Sequence, residues 1–457
     1  MRIRTIFALL LCLTAPTVCS AADNRHVVLI TIDGFPARMF WDPKTPIPRL
    51  RQLAAAGAAA EGMRVSNPTL TWPNHTTLVT GVPAAKHSVL YNGILQRAGT
   101  GLPVMVDPKR EKAELVAVPT LFDELHKAGL RTAAINWPCT RNSGSIDDDF
   151  PDVPDTLLHT TVRLRRELVA QGILPDDKDV TFRAMTGPER DEVWTKAACH
   201  VIRTRRPNFL LFHLLNSDGT HHRYGAETPA SYTALALADV HVGRVLDALD
   251  GAGILMNTTV FVVSDHGFAT ATNVLQPNVL FRQAGLIELG ATNRMTKAQA
   301  QVVSIGGSGM IYLTNPQTRD ADRKKVMELL RGKEGVADLI EPDRFAELGL
   351  PLPEKNGGMG DLVLVPRDGY AVSAAATGNE FVLPISGTMN VGYHGYLASN
   401  PRMNALFIAA GDGIKKGIKI GLVDNMDVAP TIAHVLGRPL LGANGKVLSQ
   451  ILIKPGP

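Results

Sequence analysis

The chain has 457 residues, 47 Lys and Arg against 43 Asp and Glu, a formal charge of +4 and a 45% share of hydrophobic residues. That balance leaves no basic footprint for nucleic acid, and the apolar share is ample for a large buried core. After the N-terminal segment, no stretch is long and apolar enough to cross a bilayer, so no membrane span is expected.

Residues 1–22 carry Arg2 and Arg4, an apolar run from Ile6 to Leu13, and then Cys-Ser-Ala-Ala before Asp23. This is the pattern of a secretory signal peptide, with an apolar run too short to span a membrane. Bulky Val18 before Cys19 argues against lipoprotein processing. The product is therefore expected to be exported, to a periplasm or to the medium. Cleavage would remove Arg2 and Arg4 and lower the formal charge from +4 to +2. Cys12 and Cys19 would leave as well, so Cys139 and Cys199 remain. In an oxidising compartment they can pair, and as two buried thiols they need not. The remaining length of about 435 residues suits one large α/β sheet domain with an inserted lobe.

HVVLITID (His26 to Asp33) is a continuous apolar run, which predicts a strand buried on both faces of a parallel sheet. Asp33 closes it, at the strand end where ligands of open α/β sheets collect. PIPRLRQLAAAG predicts a helix ending at Gly57, and AEGMRVS a second strand delivering NPTLTWPNHTTLVTG. There Thr71 precedes Trp72 and Pro73, and HTTLVTG reads as a short helix. A helix N-terminus favours an anion such as phosphate, although a threonine there is also an ordinary N-cap.

PTLFDELHKAG and RTAAINWP repeat the helix-then-strand rhythm, followed by Cys139, Thr140, Arg141 and the acidic stretch IDDDFPDVPD, read as a solvated loop. TLLHTTVRLRRELVAQG is expected as one amphipathic helix with Arg163, Arg165 and Arg166 on its wet face, and RDEVWTKAACHVIRTRRP as another helix. NFLLFHLLNSD predicts a buried strand ending near Asp218. After a long helix through ASYTALALADVHVGRVLDALDGAG, TTVFVVSDHG predicts a strand ending at Asp265, His266 and Gly267. From 269 to 384 the rhythm loosens into a smaller α+β lobe. The core, 23–268, resumes over 385–457 with GYHGY at His394, the strand NALFIAAG and the helix DVAPTIAHVLG.

Carboxylates and imidazoles thus recur at strand ends: Asp33, then Asp218 with His222, then Asp265 with His266, and His394. Such N and O donors suit zinc, at about 2.0–2.2 Å and usually four per ion. Asp218 and His222, four apart, meet on one face if a turn of helix follows the strand. Each has a bland reading too: SDHG as a turn, DGTHH as a solvated loop, GYHGY as a glycine-flanked aromatic turn.

In their order and spacing, VVLITIDGF, PTLTWPNHTTLVTG, Asn92, the Asp218/His222 pair, VVSDHG, GYHGY and MNALFIAAG resemble the nucleotide pyrophosphatase/phosphodiesterase family of the alkaline phosphatase superfamily. The resemblance covers most of the core and little of the 269–384 lobe. It implies a mostly parallel α/β sheet flanked by helices, and two zinc ions. One would be held by Asp33, Thr71, Asp265 and His266, the other by Asp218, His222 and His394. It further implies that Thr71 attacks phosphorus to form a phosphothreonine, that Asn92 holds a non-bridging oxygen, and that Trp72 packs on the substrate.

Two departures stand out. His221 occupies a position where the family often has Gly, which makes it the fallback for His222. Pro138 to Arg141 replaces a glycine-containing loop. His75, His87 and His213 lack a metal-like context and read as structural.

The function implied is zinc-dependent phosphodiesterase or pyrophosphatase action on nucleotides or related diesters. A phosphomonoesterase is the nearest rival, with Arg141 as the cation that a terminal phosphate needs. A phosphonoacetate-type hydrolase and a metal-free binding protein are the others. A sulfatase is disfavoured, because its modified Cys/Ser-x-Pro-x-Arg motif is absent around Thr71.

Overall fold

The computed structural model describes residues 24–177 and 180–453. The expected signal peptide lies outside the described residues.

Eight strands form the central sheet: β1 (His26–Ile32), β2 (Ala58–Ala60), β3 (Thr132–Pro138), β4 (Asp148–Asp152), β5 (Phe209–Leu214), β6 (Thr258–Val263), β7 (Phe407–Gly411) and β8 (Ile418–Ile420). Their spatial order is β8-β2-β7-β6-β1-β5-β3-β4. All pairings are parallel except those of β7, which runs antiparallel to both β6 and β2. All seven residues of β1 are buried, as an interior parallel strand requires.

Alternation then sorts the β1 side chains. Val28, Ile30 and Ile32 enter one core, with Trp194, Ile202, Leu235 and Val242 of the helices Gly187–Arg205 and Pro229–Gly251. Val27 and Leu29 enter the opposite core, with Leu78, Phe122 and Ile432. Thr31 shares that second face but is polar. Its Oγ1 lies 2.8 Å from His75 Nε2, so the apolar layer gives way to a hydrogen-bonded one just before Asp33.

The strands between Asn273 and Pro384 lie outside this sheet. A four-stranded antiparallel sheet (Ala300–Ser304, Gly309–Leu313, Leu362–Pro366, Val336–Ile340) has its own core with the helix Arg319–Leu330. Another cluster joins Leu70, Ala84, Leu90 and Leu95 to Met310, Tyr312 and Phe345, so the segment around Thr71 is braced by the lobe. The chain re-enters where Gly392–Tyr393 pairs antiparallel with Ala269–Thr270, which delivers His394.

Three local expectations are corrected. The acidic run after Arg141 is an edge strand rather than a solvated loop: Asp148 and Asp149 are buried, held by Arg163 Nη2 at 2.7 Å and Thr140 Oγ1 at 2.9 Å. Arg163 is therefore spent on a buried carboxylate. The single amphipathic helix after Asp155 is two, Thr156–His159 and Val162–Ala170, because Thr160 and Thr161 turn away, with Thr161 Oγ1 accepting from Asp149 N. AEGMRVS is not one strand: its Ala60 ends the main-sheet strand Ala58–Ala60, and beyond Glu61 and Gly62 the pair Met63–Arg64 belongs to a separate ladder with Val423–Asp424. Cys139 and Cys199 are both free and buried.

Candidate active site

Asp33, Asp265 and His266 converge at the carboxyl ends of β1 and β6, with one ligand atom from each within 4.8 Å of the others. His266 Nε2 lies 3.3 Å from both Asp33 Oδ1 and Asp265 Oδ2. All three residues are fully buried. Asp218, His222 and His394 form a second group within the same limit. There Asp218 Oδ1 is 3.5 Å from His222 Nε2 and 3.6 Å from His394 Nε2.

Asp218 is not at a strand end. It lies in the first turn of the helix Asn216–Tyr224, and this turn of helix is what brings an i,i+4 pair onto one face. The helix start is fixed by buried Asp191, whose carboxylate accepts from Leu215 N at 2.9 Å and Asn216 N at 3.1 Å. Ser217 Oγ donates to Asp33 O at 2.6 Å, joining this helix to the end of β1.

Each imidazole is locked by its far nitrogen. Nδ1–H donates to Gly267 O in His266 (3.2 Å), to Gly392 O in His222 (2.9 Å) and to Thr69 O in His394 (2.9 Å). Every Nε2 lone pair is thereby turned to its cluster, as metal-bound imidazoles are set. Asp265 is locked likewise: Oδ1 accepts from Gly34 N and His266 N, both at 3.1 Å, leaving Oδ2 inward. Gly34 is required for this approach. Its φ is +65°, and a Cβ there would meet the Phe268 ring at 2.6 Å.

The inward atoms Asp33 Oδ1, Asp265 Oδ2, His266 Nε2 and Asp218 Oδ1 are buried without a hydrogen-bond partner. Burial, with Asp265 and Asp218 nearby, pushes the Asp33 carboxyl well above its ordinary value. Burial pushes Asp218 up to about 6 and holds His266 and His394 well below the ordinary histidine range. Converging carboxylates and neutral imidazoles with unspent lone pairs are a donor set that divalent cations satisfy, so the residues present fit metal ions.

Thr71 opens the helix Thr71–Thr80. Its carbonyl accepts from His75 Nδ1 at 2.8 Å, and that ring lies 3.7 Å from Asp265 Oδ2, while Thr69 O holds His394. The segment is thus tethered to both clusters. Leu70 offers no side-chain cap; Asn92 Oδ1 accepts from Trp72 N at 3.0 Å instead, which leaves the Asn92 Nδ2 donor for other use.

Trp72 is buried among Val89, Leu115, Val116 and Val153, and its Nε1 donates to Asp152 Oδ2 at 3.2 Å. The indole is thus packed at the helix start and largely covered by protein. Beside it, at the ends of β3 and β4, a cleft of about 430 Å³ is lined by Asn136, Asp152, Arg190, Trp194 and Leu215. Arg141 Nε is buried without a partner, and no described contact ties this side chain to either cluster. His221 joins neither group; its Nδ1 donates to Gly34 O at 3.0 Å. His213 is more than core filling: its Nε2 lies 3.0 Å from Asp33 Oδ2. The signal for it in the sequence was an imidazole within the otherwise apolar run FLLFHLL.

A mostly parallel eight-stranded sheet carrying two carboxylate–imidazole clusters at one edge makes this an alkaline-phosphatase-like α/β protein. Human ectonucleotide pyrophosphatase/phosphodiesterase 5 superposes with a TM-score of 0.70 at 16% identity, over 94% of this chain and 100% of that one. An inactive threonine-to-alanine variant of the murine protein, in complex with AMP, gives 0.69 at 17% identity over the same shares.

The chain belongs to the type I phosphodiesterase/nucleotide pyrophosphatase family, whose model matches residues 27–397. Bis(5'-adenosyl)-triphosphatase enpp4 of Xenopus laevis is 24% identical over 445 residues, 94% of this chain and 82% of the relative. Ectonucleotide pyrophosphatase/phosphodiesterase family member 1 of Mus musculus is 22% identical over 447 residues, 95% of this chain and 43% of the relative. The protein is accordingly a hydrolase of phosphodiester or pyrophosphate bonds.

Proposed function

We propose that this enzyme cleaves small phosphate diesters with Thr71 as nucleophile and two zinc ions as cofactors. Asp33, Thr71, Asp265 and His266 would hold one ion, and Asp218, His222 and His394 the other. The observation that carries this reading is the set of partnerless inward atoms in the two clusters. When bound, the ions supply Lewis acidity to the phosphoryl oxygens and favour the alkoxide of a neighbouring hydroxyl.

The chain's own residues do the rest. Thr71 Oγ1 forms a bond to phosphorus as the ester P–O bond breaks, the leaving alcohol takes a proton, and a phosphothreonine remains. Water then attacks that phosphorus, Thr71 regains its proton and the phosphate monoester departs. Asn92 is oriented through Oδ1, so its Nδ2 holds a non-bridging oxygen as charge builds. The ester group lies in the cleft beside Trp72 and Asp152.

Nucleotide esters are the substrate class this reading favours. Support comes from the AMP complex of the murine neighbour and from the adenosyl triphosphatase name of the Xenopus relative. The inactivity of the threonine-to-alanine murine protein supports a threonine nucleophile. Action outside the cytoplasm belongs to the same proposal, supported by the signal-like pattern of residues 1–22.

The test is turnover of bis-p-nitrophenyl phosphate against p-nitrophenyl phosphate, with metal content measured on the same sample. Preference for the diester with two zinc ions per chain is expected; a strong monoester preference overturns the diester assignment.

A further inference from the structure

In the metal cluster at the end of β1, both carboxylates are pinned by one oxygen and present the other. For Asp265 the pins are backbone amides, of Gly34 and His266. For Asp33 the pin is a side chain: Oδ2 accepts from His213 Nε2 at 3.0 Å, and Oδ1 faces His266 without a hydrogen-bond partner.

His213 is itself held from the next strand. A neutral ring that gives its one N–H to Asp33 accepts at Nδ1, which lies 3.4 Å from Asn136 Nδ2 and 3.0 Å from Asn136 O, and Asn136 Nδ2 also donates to His213 O at 3.1 Å. Asn136 takes φ +56° to do this, a left-handed conformation in which a non-glycine residue needs local support. The ring packs against His75 at 4.4 Å, and the neighbours of His213 in its strand are all Phe or Leu. What only an imidazole or a similar donor adds is the bond to Asp33.

We propose that His213 is a positioning residue: by holding Asp33 Oδ2 it fixes the carboxylate so that Oδ1 alone meets the cation of that cluster. The inference rests on the metal reading of the two clusters. Ligand-orienting partners of this kind are worth about 10–100-fold in metal affinity. The effect should fall on one ion only, because His222 and His394 are oriented through Gly392 O and Thr69 O and no described hydrogen bond joins His213 to that cluster.

The test uses the full protein stripped of metal, as wild type, His213→Phe and His213→Gln. Zinc is titrated in competition with a chromophoric chelator, and thermal unfolding is recorded with and without zinc. Wild type is expected to bind two ions. In His213→Phe one affinity should drop by about 10–100-fold while the other stays. In His213→Gln, whose amide restores a donor, part of that loss should be recovered, and this variant carries the test if the Phe protein does not fold. Wild-type affinity for both ions in His213→Phe overturns the inference, whether or not its metal-free form melts earlier, since that result leaves a packing role alone. A wild type that binds no zinc overturns the metal reading itself, and this inference with it.

Discussion

The imidazoles of His266 and His394 lie stacked, with ring centroids 3.7 Å apart and planes 8° from parallel. One ring belongs to each cluster, so this contact is the wall the two centres share. Burial holds both rings well below the ordinary histidine range, and the His266 ring adds to this at His394, so both remain neutral in the folded protein. Two neutral rings can lie flat together; two imidazolium ions could not.

Thr71→Ala should lower diester turnover on the order of 10⁴-fold or more, since no other group replaces an attacking oxygen. Thr71→Ser should retain part of it. Mass spectrometry of acid-quenched wild-type turnover of bis-p-nitrophenyl phosphate should find one p-nitrophenyl phosphoryl group on the Thr71 peptide, and its consistent absence would refute a covalent route.

His222→Ala and Asp218→Asn should each cost one bound ion as counted by elemental analysis, and His221→Ala should leave the count at the wild-type value. The distinction follows from the geometry: His222 Nε2 reaches Asp218 while His221 is tied to Gly34 O. Loss of an ion in His221→Ala with none lost in His222→Ala would reverse the assignment. Chelator treatment should abolish turnover, and added zinc should restore it.

Asp191 gives a pH dependence whose sign can be worked out. Burial pushes its carboxyl up to about 7, against an unfolded value of about 3.9. Between those values the folded chain keeps a proton the unfolded chain has released. Stability attributable to this group is therefore fullest below about pH 4 and is lost as pH rises to about 7, at no more than about 1.4 kcal/mol per unit. Asp191→Asn should flatten the denaturant-unfolding free energy over that window. A slope unchanged by the substitution would show that the group does not titrate there.

Cys139 and Cys199 are free and buried, and burial pushes the Cys139 thiol up to about 12. Neither should react with a thiol reagent at neutral pH in the native state, and both should do so once the chain is unfolded without reductant. Failure to recover both thiols on unfolding would show a bond between them.

Much of the architecture was legible from local pattern. A strand such as HVVLITI announces its two-sided burial by composition, and Asp218 with His222 announces a shared helix face by spacing, because both depend only on neighbours in the chain. Local pattern failed where a distant partner decided the outcome. Asp148 and Asp149 looked solvated until Arg163 and Thr140 compensated their burial, and the helix after Asp155 broke because Thr161 is bonded to Asp149.

By itself, the sequence determined which side chains carry donors and in what order they reach one edge of the sheet, since strand direction and helix period are local properties. Only the tertiary structure decided how each donor is aimed. Which oxygen of Asp33 is spent on His213, which nitrogen of His394 is spent on Thr69, and whether His221 or His222 faces Asp218 depend on hydrogen bonds between segments far apart in the chain. A hydrogen bond of that kind has a distance and a direction only after the backbone has closed around it.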